Sequence, residues 1–214
     1  TGCRLHVVHV AAAEVLPLLV AAKGAGLPVS AETCPHYLFF QAEDLPDGDP
    51  RFKCAPPIRG GRHREALWSA LLDGTLDLVA SDHSPAPPSM KQGPVMEAWG
   101  GILSLEVARS ALWTGARRRG ATLADLARWT SLGPARLAGL DDAGALTPGR
   151  RADLVVFDPE ARWRVDDAAL QHRQPGSAYD GAELHGRVRS TYLAGRRVWP
   201  PPGGEEESMG SVRH

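Results

Sequence analysis

Three side chains that can hold a metal ion or move a proton stand just past three apolar runs of strand length: His9, His36 and Asp82. His9 closes the run 3–10, His36 follows the run 27–34 by two residues, and Asp82 follows the run 76–80 by two. A neutral imidazole gives a lone pair to a divalent cation without cancelling its charge, and a carboxylate can both ligate a cation and accept a proton. Each has a plainer reading when taken alone. A single histidine near a strand end is more often a core or surface residue, and Pro35 and the Ser84-Pro85 pair are ordinary turn formers. What points to a site is the coincidence, because parallel β/α folds gather their chemistry at the C-terminal ends of their strands. His6 competes with His9. The two are three residues apart, so a strand of period two turns them to opposite faces, and His9, nearer the strand's end, is the candidate.

The elements that must position these residues alternate. A strand over 3–10 leads to a helix over 11–25 stopped by Gly26, then to a strand over 27–34. After the Pro/Asp/Gly-rich stretch 43–50, residues 51–55 are expected to form a further strand and 62–72 a helix. The strand at 76–80 is followed by the turn-rich segment 81–94 and a helix over 102–113, with shorter helices at 123–129 and 134–140. Strands alternating with helices imply parallel βα units. From Gly144 the texture changes: a turn and a strand over 144–158, then a hairpin over 188–198 turning at Ala194-Gly195, make a small β module. The tail 200–214 has too little apolar content to fold and is expected to be disordered.

Composition narrows the class. The chain has 214 residues, 43% of them hydrophobic, enough for a real core in one or two domains. Its 24 basic and 25 acidic side chains are mixed along the chain, which excludes a basic field for nucleic acid. Arg117, Arg118 and Arg119 complement a helix end instead. No apolar run approaches the roughly 18 residues needed to span a bilayer, so neither a membrane partner nor a location other than the cytoplasm is expected. Cys3, Cys34 and Cys54 have no C-x-x-C spacing, which leaves any metal to histidines and carboxylates. Thr1 opens almost directly into a strand, which suggests a fragment of a longer chain.

Four segments, in this order, carry a resemblance: Glu32-Thr-Cys-Pro-His-Tyr-Leu38, Lys53-Cys-Ala-Pro-Pro-Ile-Arg59, Ser81-Asp-His-Ser-Pro85 and Ala98-Trp-Gly-Gly-Ile102. Together they resemble the cyclic amidohydrolases, and within them the allantoinase branch more than the hydantoinases, dihydropyrimidinases or dihydroorotases. The resemblance covers the chain to Val198. It implies an α/β fold: the C-terminal part of a TIM-type (β/α)8 metal-dependent hydrolase barrel, strands five to eight over residues 1–143, followed over 144–199 by part of a small β-sandwich.

It also implies two divalent metal ions, zinc in the first instance, held by four histidines, an aspartate and a bridging carboxylated lysine. Carried over, His9 and His36 match ligands of the second metal. Asp82 matches a ligand of the first metal that doubles as catalytic base, and Ala55 and Ser84 match residues that hold a planar ring through their backbones. The H-x-H pair and the fourth-strand lysine of that scheme have no counterpart among the eight histidines and the lysines 23, 53 and 91, so they are expected upstream. The implied reaction is hydrolytic opening of a cyclic ureide, allantoin to allantoate, by a homo-oligomer. A hydantoinase or dihydropyrimidinase with the same machinery is the near alternative, and a non-catalytic scaffold subunit of the same fold the distant one. His83 is read as support beside Asp82, and Cys34 and Cys54 as buried packing.

Overall fold

The computed structural model describes residues 2–201. Short apolar segments build a parallel sheet in the order β1 (Leu5–Val7), β2 (Val29–Thr33), β3 (Leu78–Val79). Its register sets Leu5 beside Val29, His6 beside Ser30 and Val7 beside Ala31, then Glu32 beside Leu78 and Thr33 beside Val79. Two further backbone bonds, Val10 N–H to Glu32 O at 2.8 Å and Ala80 N–H to Thr33 O at 3.0 Å, prolong the pairing to the places where His9 and Asp82 leave the sheet. At the other end of β3, Asp77 anchors the sheet, its Oδ2 accepting from Ala31 N–H and from Lys23 Nζ, each at 2.7 Å.

Alternation along β2 turns Ala31 and Thr33 into the protein, where both are fully buried, with Ala31 in the core that takes in Leu19 of α1 (Leu16–Gly24) and Leu67, Trp68 and Leu71 of α3 (Gly61–Asp73). Between them α2 (Pro35–Phe39) starts directly after β2. Pro35 occupies its first turn, where a missing N–H costs nothing. Trp68 donates from Nε1 to Leu38 O at 2.9 Å, and its ring lies so close to Gly115 that a Cβ there would come within 2.4 Å of it. Gly115 belongs to α4 (Ala108–Arg117), whose buried face carries Ala111, Leu112, Trp113 and Ala116. A reciprocal Thr122–Asp125 capping box opens α5 (Leu123–Ala127), which runs through a π-turn at Arg128–Leu132 into α6 (Gly133–Ala138).

The second sheet is antiparallel: β4 (Leu154–Arg164), β5 (Glu183–Leu193) and β6 (Arg196–Trp199). It docks on α4 through Trp113 Nε1, which donates to Pro159 O at 3.0 Å, and Thr114 Oγ1, which accepts from His185 N–H at 2.7 Å. The segment joining β4 to β5 reaches further in. Tyr179 is fully buried and packs on Phe39 and Phe40, so the core is continuous from the parallel sheet to this module.

Three expectations need correction. Residues 51–55 form no strand. Asp49 accepts from Arg51 N–H and caps a 3-10 turn at Pro50–Phe52, so β2 pairs directly with β3. The helix expected at 102–113 begins at Ala108, because Ile102 bridges to His83 and Ser104 O starts the turn that leads into α4. The helix expected over 11–25 opens with a 3-10 turn at Ala13–Val15. The hairpin turn lies at Ala194-Gly195 as expected, with positive φ at both residues, the twist that suits a two-residue connection. The expected disorder of the tail lies outside the described residues from 202 onward.

Candidate metal site

The C-terminal edge of the parallel sheet holds backbone that L-residues avoid. Among the described residues, the non-glycine residues with positive φ are His9 at 40°, Asp82 at 46° and Ala194 at 48°. Ala194 is explained by its hairpin turn. His9 and Asp82 have no such local reason, and strained backbone of this kind persists where the surroundings fix a side chain's direction.

His36 comes to the same place from the first turn of α2. Its side chain has 0% exposure, and neither Nδ1 nor Nε2 has a hydrogen-bond partner, although its ring lies edge-on to Tyr37 at 4.1 Å. A buried imidazole normally satisfies at least one nitrogen. Burial, reinforced by the nearby His9, pushes its pKa down to about 3. It is therefore a neutral, unspent lone-pair donor. Asp82 is the complementary group: burial lifts its carboxyl above the ordinary range, Glu32 adds to the lift, and His9 opposes it.

A ring nitrogen of His36, a carboxylate oxygen of Asp82 and Sγ of Cys34 lie within 4.8 Å of one another. Of the expected ligands, the structure thus brings His36 and Asp82 together. His9 bears electrostatically on both but stands outside this closest group. An unpartnered buried imidazole beside a carboxylate fits a divalent cation, for which His36, Asp82 and His9 would be the ligands.

His9 lies past the end of β1, where its positive φ departs from strand geometry. His6 bonds Ser30 Oγ at 2.7 Å and Glu32 Oε2 at 3.0 Å, and through Glu32 it adjoins Asp82 as well. His83 is committed to the loop that follows. Its Nδ1 accepts from the N–H groups of Ser104 and Leu105, both at 3.1 Å.

Ala55 is exposed on the loop after Cys54 and precedes a cis bond to Pro56. Tyr37, next to His36, donates from its hydroxyl to Pro56 O at 2.7 Å and so fastens this loop to α2. Ser84 spends its N–H on Ile102 O at 3.1 Å, which leaves a backbone contact with a ligand to its carbonyl. That carbonyl needs a glycine opposite: a Cβ on Gly101 would lie 2.6 Å from Ser84 O.

One residue that sequence reasoning passed over ties these loops together. Lys91 Nζ donates to the carbonyls of Gly101 at 2.5 Å, Pro50 at 2.9 Å and Lys53 at 3.3 Å. Nothing in the local sequence of Lys91 signals this, since its partners are ten to forty-one residues away. Cys34 did carry a signal: two residues past Glu32, it continues the face of β2 that leads toward the site.

Comparison with known proteins shows a likeness along nearly the whole chain. Residues 3–198 match the amidohydrolase family. The chain is 49% identical over 197 residues to an allantoinase of Streptomyces avermitilis, with 92% of this chain and 44% of that protein aligned. It is 44% identical over 218 residues to an allantoinase of Arabidopsis thaliana, covering 99% of this chain and 43% of that one.

Among solved structures, an L-hydantoinase (dihydropyrimidinase) from Arthrobacter aurescens superposes with a TM-score of 0.87 at 31% identity, and a D-hydantoinase with 0.86 at 29%, each over 92% of this chain and 45% of the other. The chain thus spans a little under half the length of the relatives it matches, and its fold is the C-terminal part of a TIM-type hydrolase barrel with part of the β-sandwich that follows. By family match and by structure, the chain belongs to the amidohydrolase family.

Proposed function

We propose that the protein to which this chain belongs opens a cyclic ureide by hydrolysis, allantoin to allantoate, and that this chain supplies His9, His36 and Asp82 to a two-metal centre. The observation that carries the reading is the pairing of a fully buried, unpartnered His36 with Asp82 at the strand ends. The substrate follows from the allantoinases to which the chain is 34–49% identical. Divalent cations bound there, zinc in the first instance, would supply Lewis acidity to the ring carbonyl and draw the pKa of water toward about 7.

The chain's own groups supply the rest. His36, held neutral by burial, and His9 would hold a cation through ring nitrogens. Asp82 takes the proton of the attacking water on a carboxylate oxygen. It returns that proton to the ring nitrogen as the carbon–nitrogen bond breaks, so water is added across one amide. The backbone of Ala55 and the carbonyl of Ser84 hold the planar ring, and Pro56 and Pro57 stiffen the loop that presents Ala55. An H-x-H pair and a carboxylated lysine are assigned to sequence beyond this chain, and a homo-oligomer and a cytoplasmic location are part of the same reading.

The solved hydantoinases favour one second reading, the same chemistry on a hydantoin or dihydropyrimidine ring. The test is metal content and ring-opening activity of the protein expressed from the complete reading frame. Two metals per chain with allantoin turnover supports the proposal. Metal with turnover only of hydantoins or dihydropyrimidines moves the ring assignment, and a folded, metal-free, inactive protein indicates the scaffold.

A further inference from the structure

Asp82 stands in left-handed backbone at φ 46°, yet among the described residues no hydrogen bond reaches its carboxylate. Its direction is therefore set by the main chain on either side. A residue's φ and ψ are rotations between two rigid peptide planes, and both planes at Asp82 are tied down by hydroxyls. Ser104 Oγ donates to Ser81 O at 2.7 Å and fixes the plane that enters Asp82, while Ser84 Oγ donates to Asp82 O at 3.3 Å and fixes the plane that leaves it.

Ser104 has 0% exposure and grips this stretch a second time, its N–H donating to His83 Nδ1 at 3.1 Å. Ile102, two residues earlier, bridges to His83 and accepts from Ser84 N–H at 3.1 Å. Residues 81, 83 and 84, on both sides of Asp82, are thus held by the one segment 102–105. That segment has a fixed base. Ile102 and Leu103 are buried, and Leu103 O accepts from the hydroxyl of the fully buried Ser177, which lies in the connection between β4 and β5.

We propose that Ser104 is a positioning residue for Asp82: by holding the Ser81 carbonyl, it keeps Asp82 in the left-handed turn that sets the carboxylate beside His36. Ser104 acts through Asp82, so the inference rests on the reading of Asp82 as proton carrier and adds what holds that carrier in place. Alanine at this buried position preserves most of the side-chain volume and deletes the one hydroxyl donor.

The experiment measures allantoin ring opening by the complete protein, with zinc in excess, for Ser104→Ala, Asp82→Asn, the double variant and Thr114→Val. Thr114→Val is the control for stability alone: it deletes a buried hydroxyl of α4 that donates to Ser110 O and accepts from His185 N–H. Ser104→Ala is expected to lower kcat about ten- to a hundredfold, the scale of a small misplacement of a reacting group, with KM within about twofold. In the Asp82→Asn background the same change costs less than about twofold more, because a residue acting only through Asp82 has nothing left to position. Thr114→Val loses thermal stability and keeps kcat. Crystals of Ser104→Ala show residue 82 out of its left-handed backbone or its carboxylate displaced from His36.

An unchanged kcat in folded Ser104→Ala, or a loss that multiplies in full with that of Asp82→Asn, overturns the inference and leaves the proton-carrier reading standing. An equal kcat loss in Thr114→Val also overturns it, by reducing both effects to stability. If Asp82→Asn retains turnover, the reading itself falls and the inference with it. Should Ser104→Ala fail to fold, a crystal structure of the unsubstituted complete protein decides: Ser104 Oγ bonded to Ser81 O with residue 82 at positive φ supports the clamp, and the loss of either refutes it.

Discussion

Two carboxylates of the antiparallel module and two polar groups at the edge of the parallel sheet are treated in opposite ways. In the antiparallel module the carboxylates are satisfied on the spot. Asp158 accepts from the N–H groups of Glu160 and Ala161 and pairs with Arg189, and Asp167 accepts from Gly176 and Ser177 N–H. At the edge of the parallel sheet, His36 is left with no partner and Asp82 is held above its ordinary protonation range. Positive φ separates the regions in the same way: at Ala194 it belongs to a hairpin turn, and at His9 and Asp82 it falls where the chain leaves the parallel strands. Trp129 Nε1, His172 Nδ1 and the Tyr179 hydroxyl are also buried without a partner, so what distinguishes His36 is the carboxylate of Asp82 beside it.

The sharpest break in that comparison is Asp82→Asn in the complete protein. It removes the proton carrier and should lower turnover by about 10^2 to 10^4-fold with the fold unchanged, measured as allantoin hydrolysis beside a circular dichroism spectrum. Turnover within a few-fold of the unsubstituted protein would place the base elsewhere.

His36 gives the next largest effect, through pH. Its folded pKa of about 3 lies below the ordinary 6.5, so the unfolded chain binds the proton first. In metal-free protein the contribution is therefore complete above about pH 6.5 and is lost toward pH 3, at up to roughly 1.4 kcal/mol per pH unit. Denaturant unfolding at a series of pH values should show this slope, and His36→Gln should remove it. An equal slope in the variant would mean that His36 is not the buried neutral group.

Lys91→Met leaves three loop carbonyls without their cation. Hydrogen bonds to charged groups are worth about 1.5–3 kcal/mol each, and the expected outcome is a KM raised about tenfold with kcat within a few-fold. A change confined to thermal stability would make the lysine purely structural.

In the satisfied region, Asp167→Asn should cost about 1–2 kcal/mol in unfolding free energy without altering activity. Burial raises this carboxyl, but the N–H groups of Gly176 and Ser177 and the His172 ring bring it below its usual range. Its stabilisation is present above the ordinary carboxylate range and fades as the pH falls through it. Ala194→Gly should stabilise by about 1 kcal/mol, because glycine accepts φ of 48° at no steric cost. Destabilisation by this change would show that the turn is not strained.

Much of the site was legible in the sequence because its residues sit where local pattern ends. His36 and Asp82 each stand two residues past an apolar run and inside a distinctive motif, and the structure brings them together. His9 was legible as a strand-end residue, but its left-handed backbone was not, since nothing in the run 3–10 other than its end marks the break in alternation. The absent strand at 51–55 misled for a physical reason. Its apolar content matches a strand, yet Asp49 caps a turn there and Lys91 takes up the Lys53 carbonyl that a sheet neighbour would use. Contacts such as those of Lys91, or of Tyr37 with Pro56, depend on packing between distant segments, and periodicity carries no information about them.

The central claim is that His36 is left unpartnered in order to hold a metal ion beside Asp82. Anomalous diffraction at the zinc edge, on crystals of the complete protein grown with zinc, tests it most directly. The account predicts anomalous density about 2.0–2.2 Å from a His36 ring nitrogen and from an Asp82 carboxylate oxygen. Density only at other residues, with His36 hydrogen-bonded to protein or water, would contradict it.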